Sequence, residues 1–286
     1  MVILVTGSSG QVGQALQWVA PNYPEWTFVF TDSASADITN KKQLEAVFSR
    51  HRPQFCINAA AYTAVDKAES EPEKAILINV HGVRNLAEVC RDFDCTLMHL
   101  STDFVFDGTK TTPYTEEDEP NPQSVYGSTK LDGERAIQQI LQKYFIIRTS
   151  WVYSHFGNNF MKTMLRLAKE RDSISVVNDQ IGTPTNAVDL AQAMLKIIRV
   201  TLYPENLTAH LFGIYNFSNE GQCSWYEFAA KIFEYNEISI DLRPIPSDQF
   251  PTAARRPKFS VLDKNKIENR FGISIPEWEK SLKALV

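Results

Sequence analysis

Val2-Ile-Leu-Val-Thr6-Gly7-Ser-Ser-Gly10-Gln-Val-Gly13 is a short apolar, β-branched run that stops at three closely spaced glycines. Gln14 to Ala20 follows with helical character, so the stretch reads strand, glycine turn, helix. A simple turn of this kind needs one glycine. Three, spaced G-x-x-G-x-x-G, let the backbone turn tightly and approach a pyrophosphate, while the helix N-terminus supplies N–H groups and positive potential. The spacing lies one residue off the standard dinucleotide fingerprint. Gly7, Ser9, Gly10, Gln11, Val12 and Gly13 are therefore the candidate pyrophosphate-binding residues. Asp32 ends the second apolar strand, Thr27 to Thr31, where a carboxylate binds an adenosine ribose and repels a 2′-phosphate. That favours NADH on charge, but no basic residue nearby decides the matter, so the expected cofactor is NADPH or NADH. Asp37-Ile38 stands just beyond, placed to hold an adenine or to form a turn.

Outward from this unit the pattern repeats. Lys41 to His51 has helical spacing, with Leu44, Val47 and Phe48 on one face, and Phe55 to Ala59 is a third strand. Glu71 to Phe93 reads as one long helix, with Pro72 tolerated in its first turn. Thr96 to Ser101 and Phe145 to Val152 are strands four and five. Strands alternating with helices imply right-handed crossovers and a parallel sheet. The expected fold is α/β, a Rossmann-type doubly wound parallel sheet with a smaller C-terminal α/β substrate domain. Residues 1–153 are expected to form the dinucleotide-binding domain and 154–286 mainly the substrate-binding domain, with 187–219 a candidate to return to the cofactor domain. Within the second part, Asn159 to Lys169, Asp189 to Val200 and Trp225 to Asn236 are amphipathic helices. Ile174 to Val177 and Gly213 to Phe217 are strands, and turns around Ile245 to Arg256 precede a helix ending at Val286.

Three further stretches carry chemistry. Asn58-Ala59-Ala60-Ala61 ends strand three with side chains small enough for a flat cofactor to lie against the backbone, or for a helix to pack closely. Ser101-Thr102-Asp103 lies at the carboxyl end of strand four, where ligands of open parallel sheets bind, although such residues also make turns and caps. Tyr126 and Lys130 stand four residues apart at the start of the helical run Leu131 to Leu141, so they share a face. An ammonium beside a phenol favours the phenolate and makes the phenol a better proton donor. Of the ten tyrosines, only Tyr126 has a lysine four residues on. Asn79, inside the long helix, is expected to face solvent.

Composition excludes several classes. Hydrophobic residues at 43% and charged residues at 22% are those of an ordinary soluble globular chain. A net charge of −5 argues against nucleic acid or an anionic membrane as partner. No run approaches the ~18 apolar residues of a membrane span, and the opening Met-Val-Ile-Leu-Val-Thr-Gly has no basic region before its short apolar stretch. Cys56, Cys90, Cys95 and Cys223 form no C-x-x-C, so reduced thiols in a cytoplasmic protein are expected. The five histidines (His51, His81, His99, His155, His210) form no metal-type cluster, and no metal is expected.

The glycine turn, Asn-Ala-Ala-Ala, the Ser-Thr-Asp strand end and Tyr126-x-x-x-Lys130 together resemble the extended short-chain dehydrogenase/reductases. Longer blocks, Ala61 to Glu69, Ser101 to Phe106, Arg148 to Tyr153, Asn178 to Thr185 and Ala254-Arg-Arg-Pro257, are similar to the dTDP-4-dehydrorhamnose reductases within that group, nearly end to end. The resemblance implies NAD(P)H-dependent reduction of the 4-keto group of dTDP-4-dehydro-L-rhamnose, in a small-molecule nucleotide-sugar pathway. It implies that Tyr126 donates the proton, that Lys130 lowers its pKa and binds the nicotinamide ribose, and that Thr102 holds the keto oxygen. Asp103 and Trp151 would contact the deoxysugar, with Val65 and Asp66 near it, and Arg255 and Arg256 would serve the diphosphate. Ala59, Ala60 and Ala61 would line the cofactor, and Asp32, Asp37 and Ile38 its adenosine end. Some relatives carry an acidic residue two positions after the third glycine for a metal at a dimer contact. Ala15 stands there, so neither metal nor that dimer carries over, and a monomer or weak homodimer is expected.

Two other readings compete. A related epimerase or dehydratase would share the cofactor site, but the Asp-Glu pair of an elimination is absent, because Phe104 follows Asp103. A non-catalytic, reductase-like regulatory subunit would also share the fold; retention of Thr102, Tyr126 and Lys130 together argues for catalysis.

Overall fold

The computed structural model describes residues 1–202 and 211–286. His210 and the middle of the segment 187–219 lie outside the described residues. The N-terminal strands are β1 (Val2–Thr6), β2 (Thr27–Phe30), β3 (Phe55–Asn58), β4 (Thr96–Thr102) and β5 (Tyr144–Thr149). Short strands β6 (Val152–Tyr153), β7 (Ser173–Val177), β8 (Ile181–Gly182) and β9 (Thr185–Asn186) follow. After them come β10 (Gly213–Asn216), β11 (Cys223–Ser224) and β12 (Asp241–Ile245). The helices are α1 (Gln11–Val19), α2 (Lys41–His51), α3 (Val65–Ala68), α4 (Pro72–Ile76), α5 (Val83–Asp92) and α6 (Val125–Ile140). Beyond them lie α7 (Phe160–Glu170), α8 (Ala187–Leu202), α9 (Trp225–Tyr235), α10 (Asn265–Phe271) and α11 (Trp278–Lys283).

Six strands pair in the order β10-β5-β4-β3-β1-β2, all parallel. A strand buried on both faces must be apolar at successive positions, and β1 is. Ile3 and Val5 join one core with Val12, Leu16 and residues of α8, while Leu4 joins the other with Phe48, Leu86 and Ile137. One face is therefore covered by α1, α8 and α10, the other by α2, α5 and α6. This is the doubly wound sheet expected from the alternation of strands and helices. The chain leaves β1 for β2 at one edge and returns to β3 on the other side of β1. A crevice at the carboxyl ends of β1 and β3 results, the place where such sheets bind ligands. A second lobe packs α7, α9 and α11 around Phe228, Ile232 and Trp278, with β7 and β12 paired in parallel.

Three expectations need correction. The long helix Glu71–Phe93 is two helices, α4 and α5, joined by a π turn at Leu77–Gly82. The cause is Asn79, which is buried rather than solvent-facing. Its side chain accepts from the Tyr62 amide (2.9 Å) and donates to the Tyr62 carbonyl (3.1 Å) and the Thr129 hydroxyl (3.1 Å). The wider turn aims that amide inward, a frequent setting for π turns near functional sites. Strand five stops at Thr149, because Trp151 takes a left-handed backbone conformation (φ 47°) before β6 resumes. The C-terminal helix is two short ones, α10 and α11, separated after Gly272 at positive φ.

Candidate active site

Ser124 caps α6: its hydroxyl accepts from the Gly127 amide at 3.1 Å, a cap worth about 1 kcal/mol. The helix therefore starts at Val125, earlier than the apolar run suggests, and Tyr126 and Lys130 sit on its first two turns facing the ends of β4 and β5. Both are buried. Thr102 ends β4; its hydroxyl donates to Asp103 Oδ1 (3.0 Å) and accepts from the Phe104 amide (3.2 Å). The Phe104 ring packs edge-on against Tyr126, centroids 5.7 Å apart. A cavity of about 700 Å³ opens over this cluster. Thr102, Asp103, Tyr126, Lys130, Trp151 and Arg256 line its chemical end; Ser9, Gly10, Gln11, Val12, Ala59 and Ala61 line the other, and Val65 borders it.

Burial governs the protonation of the cluster. It pushes the Tyr126 phenol up to about 12, against the hydrogen bond with Thr102. It pulls Lys130 down to about 8, opposed by the Glu134 carboxylate one turn further on, and raises Asp103 to about 6. Burial outweighs the lowering of the phenol expected from Lys130. Lys130 Nζ is turned instead to the Leu100 carbonyl, 2.6 Å away, and to His99 Nε2, 3.3 Å away. Asp103 Oδ2 is buried with no partner among the described residues. An orphaned acceptor on a cavity wall suits a hydroxyl-bearing ligand.

The glycine end fits a dinucleotide. Gly7 has φ +70°, and a Cβ there would lie 2.5 Å from the Ala60 nitrogen, so only glycine lets the turn rest on the end of β3. Gly10 is the N-cap of α1 and places no side chain over its first amides, which leaves them to meet an anion. Ala59 and Ala61 present small surfaces to the cavity. The Ala60 amide is tied to Asn58 Oδ1 at 3.1 Å.

Asp32, Asp37, Ile38, Asp66 and Arg255 stand apart from the cavity wall. Asp32 at the end of β2 accepts from the Ala34 and Ser35 amides and the Ser35 hydroxyl, so its carboxylate organises its own turn. Asp37 does the same for Thr39. The Ile38 side chain is buried in the core against Gly82 and offers a ligand only its backbone. Arg256 pairs with Asp66, which holds that carboxyl below its ordinary range. Arg255 is exposed and reaches Gln123.

Several residues were not legible from motifs. Trp225 of α9 stacks on Trp151, centroids 3.5 Å and planes 9° apart, and lines the cavity with it. Gly182 makes room, since a Cβ there would meet the Trp151 ring at 2.6 Å. Glu134 is buried under Lys130, accepting from Ser101 (2.5 Å) and from Arg148 (2.7 Å). Only Glu134 left a signal, as the next residue on the Tyr126–Lys130 face.

A doubly wound sheet with a glycine cradle at its crevice and a Thr–Tyr–Lys cluster beyond β4 defines the class, an extended short-chain dehydrogenase/reductase. The family described as RmlD substrate binding domain matches residues 1–286. A dTDP-4-dehydrorhamnose reductase of Aggregatibacter actinomycetemcomitans is 40% identical, over 98% of this chain and 97% of the relative. One from Sinorhizobium fredii is 42% identical, over 100% and 97%. The crystal structure of a Bacillus anthracis dTDP-4-dehydrorhamnose reductase in complex with NADP superposes with a TM-score of 0.92 at 41% identity, covering 99% of this chain and 98% of that one. The chain belongs to the dTDP-4-dehydrorhamnose reductase family.

Proposed function

We propose that this protein reduces the 4-keto group of dTDP-4-dehydro-L-rhamnose to give dTDP-L-rhamnose, using NADPH or NADH. The observation that carries the reading is the cavity in which Thr102, Tyr126 and Lys130 meet the glycine turn, in a chain matched end to end by reductases of this name. The nicotinamide, when bound, supplies the hydride. The residues do the rest. Thr102 and Tyr126 hold the keto oxygen, and Tyr126 gives its proton to the alkoxide that develops there. Lys130 stabilises the phenolate left behind and holds ribose hydroxyls. Asp103, with its free buried oxygen, takes a sugar hydroxyl, and the flat face of Trp151, braced by Trp225, bounds the deoxysugar. Val65 borders the sugar site, with Asp66 reaching it through Arg256. Arg256, on the cavity wall, meets the diphosphate, with Arg255 outside it. The glycine turn, from Gly7 through Ser9 to Gly13, and Ala59 to Ala61 carry the cofactor, with Asp32 and the backbone of Asp37-Ile38 at its adenosine end.

Phe104 favours this reading over elimination, because an aromatic ring packed on Tyr126 stands where the Asp-Glu pair of a dehydratase has its second carboxylate. Among the described residues no helix is long and apolar enough to cross a membrane, and all four cysteines are free and buried. Reduced, buried thiols fit a cytoplasmic enzyme; the proposed partner is a small nucleotide sugar rather than nucleic acid or membrane, and the proposed state is a monomer or weak homodimer. The test is to mix the protein with the 4-keto sugar nucleotide and either NADPH or NADH and follow nicotinamide absorbance. Oxidation of at least one cofactor is expected; no turnover with either overturns the reading in favour of a binding role.

A further inference from the structure

A buried chain of polar groups runs behind Lys130, away from the cavity. Asn58 Oδ1 accepts from the Ala60 amide (3.1 Å) and the Thr6 hydroxyl (2.7 Å). A backbone amide can only donate, so the oxygen of Asn58 must face Ala60 and its NH2 group must face the other way. That NH2 group lies 2.9 Å from His99 Nδ1, which is therefore an acceptor. His99 is buried, and burial together with the nearby Lys130 holds its pKa well below the ordinary value, so the ring is neutral. A neutral imidazole carries one proton, and with Nδ1 accepting it sits on Nε2. Nε2 is the atom 3.3 Å from Lys130 Nζ.

We propose that His99 is a positioning residue that sets the protonation of Lys130, by presenting Nζ with an N–H rather than a lone pair. An ammonium is a donor only, and Nζ already donates to the Leu100 carbonyl at 2.6 Å. The Nε2–H then opposes an ammonium and suits a neutral amine, which has a lone pair to accept it. The other groups around Nζ act in both directions. Glu134, on the next turn of α6, favours the charge, but its carboxylate is bound by Ser101 and by the Arg148 guanidinium from β5. Tyr126, a turn earlier, is neutral, and Asp103 beyond β4 is held toward its neutral form. Burial of Lys130 works in the same direction as His99. The consequence for the reaction rests on the proposed role of Lys130 beside Tyr126. The ammonium that steadies the phenolate is present below the Lys130 pKa and lost as pH rises through it, so His99 fixes where the alkaline limb of activity falls.

The direct test needs no turnover. Two-bond ¹H–¹⁵N spectra of histidine-labelled protein, assigned by comparison with His99→Phe, report the His99 tautomer. The Nε2–H form is expected between about pH 6 and about pH 9, in the wild type and equally in Tyr126→Phe. An Nδ1–H form or an imidazolium overturns the proposal whether or not the protein is a reductase. The second readout is kcat/KM against pH. In folded His99→Phe the alkaline limb, expected near pH 8 in the wild type from the burial of Lys130, should move up by about one pH unit. A limb that stays in place overturns the proposal, and if His99→Phe does not fold, His99→Gln supplies the assignment and the wild-type tautomer decides alone.

Discussion

Arg256 grips Asp66 with both terminal nitrogens, Nη2 to Oδ2 at 2.6 Å and Nη1 to Oδ1 at 3.0 Å, although the two lie 190 residues apart in sequence. The Ala254 amide adds a third bond to the same carboxylate. The C-terminal loop is thereby tied to α3 at the rim of the cavity. Such a half-exposed pair contributes at most about 1 kcal/mol. Asp66→Ala should raise the KM for the sugar nucleotide about two- to fivefold, with kcat within about twofold, in steady-state kinetics at saturating cofactor. A kcat loss much larger than the KM change would mean that the carboxylate serves the chemistry rather than the loop.

Glu134 and Arg148 form an ion pair with side chains 1% and 2% exposed. Removing one partner leaves the other charge buried without compensation, a loss of about 3–5 kcal/mol. Glu134→Ala should lower unfolding stability by about that amount in urea titration. Glu134→Leu combined with Arg148→Met should lose less than either single change. Equal or greater loss in the double variant would show that the two act independently.

Asp103 is the reverse case. Burial lifts its carboxyl to about 6, so ionising it costs the folded state more than the unfolded chain. Stability is therefore penalised progressively as pH rises from about 4 to above 6. Asp103→Asn should be more stable than wild type at neutral pH, by up to about 3 kcal/mol, and indistinguishable from it below about pH 4. Thermal melts across that range test the sign. The same variant should bind the sugar more weakly.

Gly182→Ala places a methyl group 2.6 Å from the Trp151 ring and should push that indole off Trp225. The expected result is a KM rise of about tenfold or more for the sugar nucleotide with cofactor affinity unchanged, read by nicotinamide fluorescence titration. Weakened cofactor binding would place Trp151 in a different part of the site.

The features legible in the sequence are those with local causes. The turn at Gly7 to Gly13 is written in adjacent residues, and the alternation of strands with helices follows from short-range apolar patterning. Tyr126 and Lys130 declare a shared face by their spacing. What stayed hidden depends on distant parts of the chain. The π turn at Leu77–Gly82 exists because Asn79 reaches Tyr62 and Thr129, and an isolated helix pattern cannot report that. Trp151 gives no hint of Trp225, nor Asp66 of Arg256. The lysine was legible as a partner of Tyr126, but its turn toward Leu100 and His99 depends on the packing of α6 on β4.

Tyr126→Phe separates proton donation from binding. It should cut kcat by about 10²–10⁴ while the dissociation constant for NADPH stays within about threefold, because the phenol oxygen is one contact among many. Near wild-type turnover would remove Tyr126 as the acid.

The most direct measurement uses a nicotinamide carrying deuterium at the transferable position and follows the label into the product by NMR. The account predicts deuterium at carbon 4 of dTDP-L-rhamnose, formed by the wild-type protein and not at a comparable rate by Tyr126→Phe. Label at any other carbon, or unlabelled epimerised sugar with the cofactor unconsumed, would contradict it.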